Sequence, residues 1–321
     1  MASTPRYLSL FGGGELRGRA EEALSRLADC HMCPRECGVD RTRGELGFCR
    51  TGRLAQVAGW NPHFGEEEPL VGRGGSGTIF FGQCNLGCVF CQNWDISRPG
   101  ETLPEASPEQ LARIMLDLQA QGAVNINFVS PSHVVAQILE ALPLAVEQGL
   151  AVPLVYNSGG YDKLDTLRLL DGVIDIYMPD TKFWDPEAAG KLCGARDYPE
   201  RAREAVAEMH RQVGDLRLDG AGLAREGLLV RHLVMPEGLA GTADWMRYLA
   251  GLSKDTYVNV MEQYRPCGKA CAMPGLDRAV TAQECREARR MALDAGLTRL
   301  DDRCGDAAYK LMERLLAHKG G

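Results

Sequence analysis

Two groups of cysteines constrain this sequence more than any other feature. The chain has 321 residues and 12 cysteines. One short segment holds Cys30, Cys33, Cys37 and Cys49, and a second holds Cys84, Cys88 and Cys91. In a reducing compartment, clustered thiols hold metal or do redox work more often than they form disulfides. The chain is therefore expected to fold around metal.

The second group has a spacing of three residues and then two, on a loop that contains glycine. Three thiolates can hold three irons of a cubane cluster and leave the fourth iron open for a ligand. A zinc knuckle or buried free thiols are the alternative, but zinc sites usually arise from paired Cys-x-x-Cys units. The spacing favours an iron–sulfur cluster with one open iron.

This spacing, with Phe90 before the last cysteine, is similar to the signature of the radical S-adenosylmethionine (SAM) superfamily. Further segments resemble the branch related to pyruvate formate-lyase activating enzymes, which includes activating-enzyme-like proteins of unestablished substrate. These segments are residues 33–39, 124–129, 155–161, 175–182 and 231–236. The resemblance extends from about residue 30 to residue 300.

The resemblance implies a reaction that is carried by cofactors. A reduced [4Fe–4S] cluster on Cys84, Cys88 and Cys91 cleaves SAM to a 5′-deoxyadenosyl radical, which abstracts hydrogen from a substrate. Phe90 and Asn93 are expected at the cofactor site. The implied partners are SAM, an electron donor such as a flavodoxin or ferredoxin and, for an activase, a glycyl radical enzyme.

Short apolar runs alternate with helical patterns along the chain, which predicts an α/β fold. Six predicted strands alternate with helices, which agrees with the open six-unit parallel (β/α) partial barrel of the superfamily. The strand count and periodicity alone would fit a doubly wound sheet equally well. Expected domains are a Cys-rich metal-binding cap (1–70), the barrel (71–300) and a C-terminal helix (301–321). The predicted strands are 78–81, 124–129, 153–157, 173–178, 228–235 and 256–260, and the predicted helices are 108–121, 132–149, 162–171, 198–213, 242–251 and 281–294.

Polar residues follow the second and third predicted strands. Activating enzymes carry a Gly-Gly-Glu after the second strand that orients the SAM amino group, whereas this chain has Ser130-Pro131-Ser132. Ser130 is assigned to SAM, with a helix N-cap as the alternative. Asn157 and Ser158 resemble the family's third-strand segment beside SAM, with a plain turn as the alternative.

Charged residues mark the next two strand ends. Asp180 and Lys182 resemble an Asp-x-Lys in which the Asp helps to hold a monovalent cation and the Lys faces SAM; an internal salt bridge is the alternative. Arg231 interrupts an apolar strand, and the resemblance assigns it to the SAM carboxylate rather than to a structural ion pair. His232 is expected to point the other way, into the core or toward a helix.

The first cysteine group supplies four thiols, which would complete either a tetrahedral zinc site or a second cubane. Zinc suits a small cap, and a second cluster suits a role in electron delivery. Cys193, Cys267 and Cys271 could form another thiolate site, although three ordinary thiols need no such explanation.

The net charge of −7 and the pI near 5.5 argue against a nucleic-acid surface. No long apolar run or leader is recognised, so a cytoplasmic location without membrane contact is expected. The leading function is a radical SAM enzyme whose 5′-deoxyadenosyl radical abstracts hydrogen from a substrate, with the activation of a glycyl radical enzyme as one of the substrate classes that the sequence leaves open. The alternatives are a radical SAM enzyme that modifies a small molecule or peptide, and a non-catalytic iron–sulfur carrier or zinc scaffold.

Overall fold

A computed structural model gives the fold and describes residues 4–98 and 103–301. Within these ranges, nine strands form one sheet in the order β3-β1-β2-β4-β5-β6-β8-β7, and the ninth pairs with β8. The strands are β1 (Ala55–His63), β2 (Ser76–Phe81), β3 (Glu105–Ala106), β4 (Ile126–Val129), β5 (Leu154–Ser158), β6 (Ile176–Thr181), β7 (Arg217–Leu218), β8 (Ala224–Leu233) and β9 (Tyr257–Met261).

Eleven α-helices lie in the described ranges, and at least one of them follows each of the first five parallel strands. They are α1 (Arg6–Gly12), α2 (Glu15–Ser25), α3 (Glu68–Val71), α4 (Trp94–Ser97), α5 (Pro108–Ala120), α6 (Val135–Glu147), α7 (Leu164–Leu169), α8 (Pro186–Cys193), α9 (Tyr198–Val213), α10 (Thr242–Leu252) and α11 (Ala282–Asp294).

Six of the strands are parallel and follow one another in chain order: β2, β4, β5, β6, β8 and β9. Such strands are covered on both faces and are mainly apolar, and all four residues of β4, including the polar Asn127, are buried. The expected α/β fold with an open six-unit partial barrel is confirmed. Because the strands are parallel, their carboxyl ends meet at one edge of the sheet.

Local signals explain where the helices begin. Ser107 caps α5 through a reciprocal capping box with Gln110, and Pro108 occupies the first turn. The helix expected from residue 132 begins instead at Val135, after a 3-10 turn over Pro131–His133. The delay arises because Ser130 has a left-handed backbone, with φ of 58°, and redirects the chain.

The N-terminal segment contributes more to the barrel than the sequence indicated. Helix α2 packs against α6, and β1 pairs antiparallel with β2. Although β1 lies within the range expected for the cap, it extends the sheet at its edge. The expected C-terminal helix lies beyond Asp301, outside the described residues. No helix in the described ranges is long and apolar enough to cross a membrane.

Candidate functional site

A cavity of about 490 Å³ opens at the carboxyl ends of the parallel strands. This volume is typical of small-molecule sites, and this edge is where ligands bind in α/β folds. The wall contains all the residues that the sequence assigned to the cluster and to SAM. They are Cys84, Phe90, Cys88, Cys91, Asn93, Ser130, Asn157, Ser158, Asp180, Lys182 and Arg231.

The loop that carries the three cysteines begins directly after β2. Gln83 has a left-handed φ of 69°, which turns the chain into the loop at Cys84. The C-terminal end of α8 then holds the loop, since Gly87 N–H donates to Cys193 O at 3.0 Å and Val89 N–H donates to Leu192 O at 2.9 Å. The middle of the loop, between Cys84 and Cys91, is therefore held against α8.

The surroundings of the three sulfur atoms fit an iron–sulfur cluster. Leu86 N–H donates to Cys84 Sγ at 3.3 Å, and the Ser97 hydroxyl donates to Cys91 Sγ at 3.2 Å. The side-chain hydrogen bond with Cys193 and burial raise the pKa of the Cys88 thiol well above its usual value, and the Lys182 ammonium offsets only part of this rise. Burial raises the pKa of the Cys84 thiol to about 12. Donors at the sulfurs suit thiolates, and a bound metal would keep a buried thiol deprotonated.

Cys193 lies beside this loop. Its side chain hydrogen bonds to that of Cys88, and its thiol also donates to Ala189 O at 3.1 Å. The sequence had grouped Cys193 with Cys267 and Cys271 as one alternative for a thiolate site. That grouping of Cys193 with Cys267 and Cys271 stays a prediction.

Ser130 and Asn157 bring the ends of β4 and β5 together at the cavity. Ser130 N–H donates to Asn157 O at 2.8 Å. Ser130 occupies the N-cap position of the 3-10 turn over Pro131–His133, but its side chain makes no capping hydrogen bond. A left-handed serine is strained backbone, which is typical of functional sites. Ser158 is held by Asp162, whose carboxylate accepts from Ser158 Oγ at 2.7 Å.

Asp180 and Lys182 form an ion pair at the end of β6, with 2.6 Å between Nζ and Oδ2. Burial would lower the pKa of the Lys182 ammonium, but the Asp180 carboxylate together with Cys88 and Tyr198 outweighs burial, and the pKa is raised well above its usual value. The Tyr198 hydroxyl accepts from Lys182 N–H at 3.0 Å and lies within 2.9 Å of Asp180 O. The internal salt bridge, which the sequence analysis left as an alternative, is therefore present, and both of its residues line the cavity.

Arg231 departs from the sequence prediction. Its guanidinium donates from Nε to Glu67 at 2.8 Å and from Nη2 to both Glu66 and Glu67. Burial would raise the pKa of Glu67, but Arg231 lowers it, so this carboxylate is ionised. The prediction that Arg231 has no structural ion pair is wrong, because two buried carboxylates from the segment before α3 reach it.

Glu66 and Glu67 are the site residues that the sequence analysis missed. They belong to a run of three glutamates before Pro69, a pattern that is typical of an exposed turn. In the structure Glu66 is 6% exposed and Glu67 is 1% exposed, and both line the cavity. The useful signal would have been the unpartnered Arg231 itself, since a buried cation requires an anion from somewhere in the chain.

His232 faces away from the cavity, as predicted. It is fully buried, with Nδ1 2.9 Å from Thr181 O and Nε2 2.8 Å from Thr242 Oγ1. The second hydrogen bond reaches the first turn of α10. His232 is therefore a core residue that joins β6, β8 and α10.

The first cysteine group forms a separate site. Cys30, Cys33, Cys37 and Cys49 line one small enclosed space, together with Arg35 and Arg41 among others. The thiols that the sequence predicted to act together are thus adjacent in the structure.

Comparisons with known proteins agree with this architecture. The Radical SAM superfamily model matches residues 78–218. The uncharacterized protein MJ0674 of Methanocaldococcus jannaschii is 33% identical over 284 residues, covering 85% of this chain and 77% of that protein. The uncharacterized protein MJ0808 of the same organism is 26% identical over 193 residues, which is 53% of this chain and 54% of that protein.

Two solved structures are also similar. TYW1 with a lysine-pyruvate adduct bound has 13% identity and a TM-score of 0.43, covering 68% of this chain and 73% of that one. Streptococcus suis SuiB bound to precursor peptide SuiA has 12% identity and a TM-score of 0.43, covering 66% of this chain and 43% of that one. With the family model and the relative of 33% identity, the chain belongs to the radical SAM superfamily, whose members use a [4Fe–4S] cluster and SAM.

Proposed function

We propose that Cys84, Cys88 and Cys91 hold a [4Fe–4S] cluster whose open iron faces SAM in the cavity. When bound, the reduced cluster supplies the electron that cleaves SAM to a 5′-deoxyadenosyl radical, which takes hydrogen from the substrate. The observation that carries this proposal is that the three thiols and the polar strand ends surround one cavity. The protein's task is to position SAM and to exclude water.

The charge of the cavity supports SAM as its ligand. The wall carries three carboxylates, of Glu66, Glu67 and Asp180, against two cations, Lys182 and Arg231. At neutral pH, SAM has an ammonium, a sulfonium and a carboxylate, so the ligand has an excess of positive charge. The excess of negative charge on the wall complements it.

Individual contacts follow from the chemistry of each side chain. We assign the ammonium of SAM to the Ser130 and Glu66 side of the wall, in place of the Gly-Gly-Glu carboxylate that this chain lacks. The described contacts of Arg231 use Nε and Nη2, and we assign Nη1 to the SAM carboxylate. Asn157 and Ser158 are proposed to bind the ribose or adenine through their polar groups.

Three further residues complete the proposed SAM site. Lys182 is proposed to face SAM as the cation of its pair with Asp180. Phe90 packs edge to face with Phe183, at 5.6 Å between ring centroids, and holds the cysteine loop against the barrel. Asn93 lies after the cysteine loop and directly before α4, and we assign it to the opening of the cofactor cavity.

A polypeptide is the substrate class that the surface favours. Phe64 is 61% exposed and lies between His63 and Gly65, which line the cavity. Trp60, in the middle of β1, is 47% exposed. Exposed aromatic groups near a cavity are typical of protein contact sites. We therefore propose a glycyl radical enzyme as the partner, with a flavodoxin or ferredoxin as the electron donor.

We also propose that Cys30, Cys33, Cys37 and Cys49 bind a second metal centre. Its support is the common enclosed space that the four thiols line.

Anaerobic incubation with dithionite and SAM tests the catalytic proposal. The reconstituted protein should release 5′-deoxyadenosine, and the Cys84/Cys88/Cys91→Ala variant should release none. Cys271→Ala is the matched control, because this exposed thiol is not part of the cavity wall. If the wild-type protein cleaved no SAM, the carrier alternative would hold instead. If the triple variant still cleaved SAM, the cluster assignment would be wrong.

A further inference from the structure

Phe48 places an exposed aromatic ring beside both cysteine groups. The residue is 40% exposed, and its backbone N–H donates to Cys37 Sγ at 3.4 Å. A Cβ on Gly87 would lie 3.4 Å from Phe48 Cζ, so the ring packs against the loop residue directly before Cys88. Among the described residues, those that line the cavity include the three thiols of this loop but neither Phe48 nor Gly87. The ring therefore covers the side of the loop that faces away from the cavity.

Two guanidinium groups flank the ring of Phe48. The guanidinium carbon of Arg35 lies 3.7 Å from the ring centroid, and that of Arg98 lies 4.9 Å from it. Both arginines are half-buried, and all of their hydrogen bonds within residues 4–98 and 103–301 go to backbone carbonyl oxygens. No carboxylate in these ranges pairs with either of them. Two positive charges therefore adjoin an exposed ring.

Neighbouring residues extend this positive, apolar surface. Leu46 is 53% exposed, and Arg50 is also exposed and has no carboxylate partner among the described residues. Glu45, the one carboxylate between residues 43 and 50, accepts the backbone N–H of Asp40 at 2.8 Å. The loop patch, as we call this surface, thus carries three cations in a chain whose net charge is −7. It consists of Arg35, Leu46, Phe48, Arg50 and Arg98.

The charge of the loop patch favours one class of partner. A net charge of −7 opposes the approach of an acidic protein, whereas a local group of cations attracts and orients it. Aromatic residues and arginine are enriched at protein interfaces, and electron-transfer complexes bury small areas, so a patch of this size is sufficient. A flavin has an apolar dimethylbenzene edge that an exposed aromatic ring can contact, whereas an iron–sulfur carrier presents no such ring.

We propose that the loop patch docks a small acidic flavoprotein of the flavodoxin type, which presents its flavin edge to Phe48. This inference rests on the proposed function, because the electron acceptor is the cluster on Cys84, Cys88 and Cys91. In the transfer, the anionic flavin hydroquinone loses one electron and becomes the neutral semiquinone, and the cluster passes from the 2+ to the 1+ state without movement of a proton. Since the loop patch lies outside the cavity, the donor docks while SAM and substrate are bound.

Binding of oxidised flavodoxin to the anaerobically reconstituted protein tests the docking surface without catalysis. Surface plasmon resonance on immobilised flavodoxin gives the dissociation constant at about 50 mM and about 300 mM NaCl. At the lower salt concentration, Phe48→Ala and Arg50→Glu should each raise this constant about tenfold, because one removes the aromatic contact and the other reverses a charge. The effect of Arg50→Glu should shrink at the higher concentration, since salt screens exposed charges.

Trp60→Ala is the matched control for Phe48→Ala, because Trp60 is 47% exposed in the middle of β1. Arg290→Glu is the control for Arg50→Glu, because it makes the same change of charge on α11, where the Arg290 side chain is 70% exposed. Neither control should weaken binding. If the test variants bound no more weakly than their controls, or if the wild-type protein did not bind flavodoxin, the docking site would be wrong. Phe48-dependent binding of a ferredoxin and not of flavodoxin would overturn the choice of a flavoprotein.

The choice of reductant separates this inference from the proposed function. Dithionite is a small reductant that needs no docking site, so Phe48→Ala and Arg50→Glu should release 5′-deoxyadenosine at the wild-type rate with it. With NADPH, flavodoxin reductase and flavodoxin, the same variants should need about tenfold more flavodoxin to reach half the maximal rate. An unchanged flavodoxin requirement would overturn the docking site. A wild-type protein that binds flavodoxin through Phe48 but cleaves no SAM with dithionite would overturn the proposed function and leave the docking surface standing.

Discussion

The Arg35 guanidinium donates from Nε to the carbonyl oxygen of Asn85 at 2.9 Å and so joins the first cysteine group to the second. Arg35 lies between Cys33 and Cys37, and Asn85 follows Cys84. Nη1 also donates to Gly194 O at 2.6 Å, at the end of α8. The guanidinium carbon lies 3.7 Å from the ring centroid of Phe48. One side chain thus links both cysteine segments to the helix that holds the barrel loop.

Arg35→Lys should weaken this link. Lysine keeps the charge but lacks the planar fork that reaches two carbonyl oxygens and stacks on an aromatic ring. We expect the free energy of unfolding to fall by about 1–3 kcal/mol, as measured by urea denaturation of the anaerobic protein. Arg43→Lys, an exposed change on the same segment, serves as the control. Equal stability of the two variants would contradict the linking role.

Arg231→Met should destabilise the fold strongly, because it leaves the Glu67 carboxylate buried without a cation. Removing one partner of a buried ion pair costs about 3–5 kcal/mol, which denaturant unfolding would show. Adding Glu67→Gln to the Arg231→Met variant should restore part of this loss, since one buried charge is then removed. If the double variant were less stable than Arg231→Met alone, the ion-pair interpretation would be wrong.

Gly160 shows how closely the ends of β5 and β6 approach each other. It has a left-handed φ of 76°, and a Cβ would lie 2.3 Å from Asp180 O. Gly160→Ala therefore combines backbone strain with a clash against rigid backbone. We expect it to lower the free energy of unfolding by more than about 3 kcal/mol.

Gly149→Ala is the matched control for Gly160→Ala. Gly149 also has a positive φ, of 97°, but a Cβ there would meet nothing within 4 Å. Only backbone strain applies, so a loss of about 1–2 kcal/mol is expected. Comparable losses for the two alanine variants, measured by denaturant unfolding, would show that the approach of Asp180 O is unimportant.

The sequence predicted the features that depend on local pattern. The six parallel strands follow from short apolar runs between helical periods, and the start of α5 follows from the capping signal at Ser107. The position of the cysteine loop after a buried strand follows in the same way. Each of these features is encoded within a few neighbouring residues, so a single sequence was enough to predict it.

The features that the sequence did not predict depend on long-range contacts or on single backbone angles. Glu67 lies 164 residues before Arg231, and nothing local to either residue indicates that they pair. Likewise, nothing in the residue types Gln83 and Ser130 indicates a left-handed backbone. Both features require the assembled barrel, because only its packing holds a buried ion pair and a strained turn in place.

His232 should make the protein sensitive to acid. Since Thr181 O is a carbonyl that only accepts, Nδ1 carries the proton and Nε2 accepts from Thr242 Oγ1. Burial lowers the pKa of His232 from 6.5 to about 4. Between these values the unfolded chain binds a proton that the folded protein does not, so stability falls as the pH falls through this window.

His232→Gln removes this titration while retaining a side chain that can donate and accept. Between about pH 7.5 and about pH 5, the wild-type protein should lose about 2 kcal/mol more unfolding free energy than the variant, because the linkage of one depressed histidine contributes that amount over this range. Urea unfolding at the two pH values measures the difference. His133, which is also buried with a lowered pKa, is present in both proteins and cancels in the comparison. Parallel losses in the two proteins would mean that His232 titrates normally in the folded state.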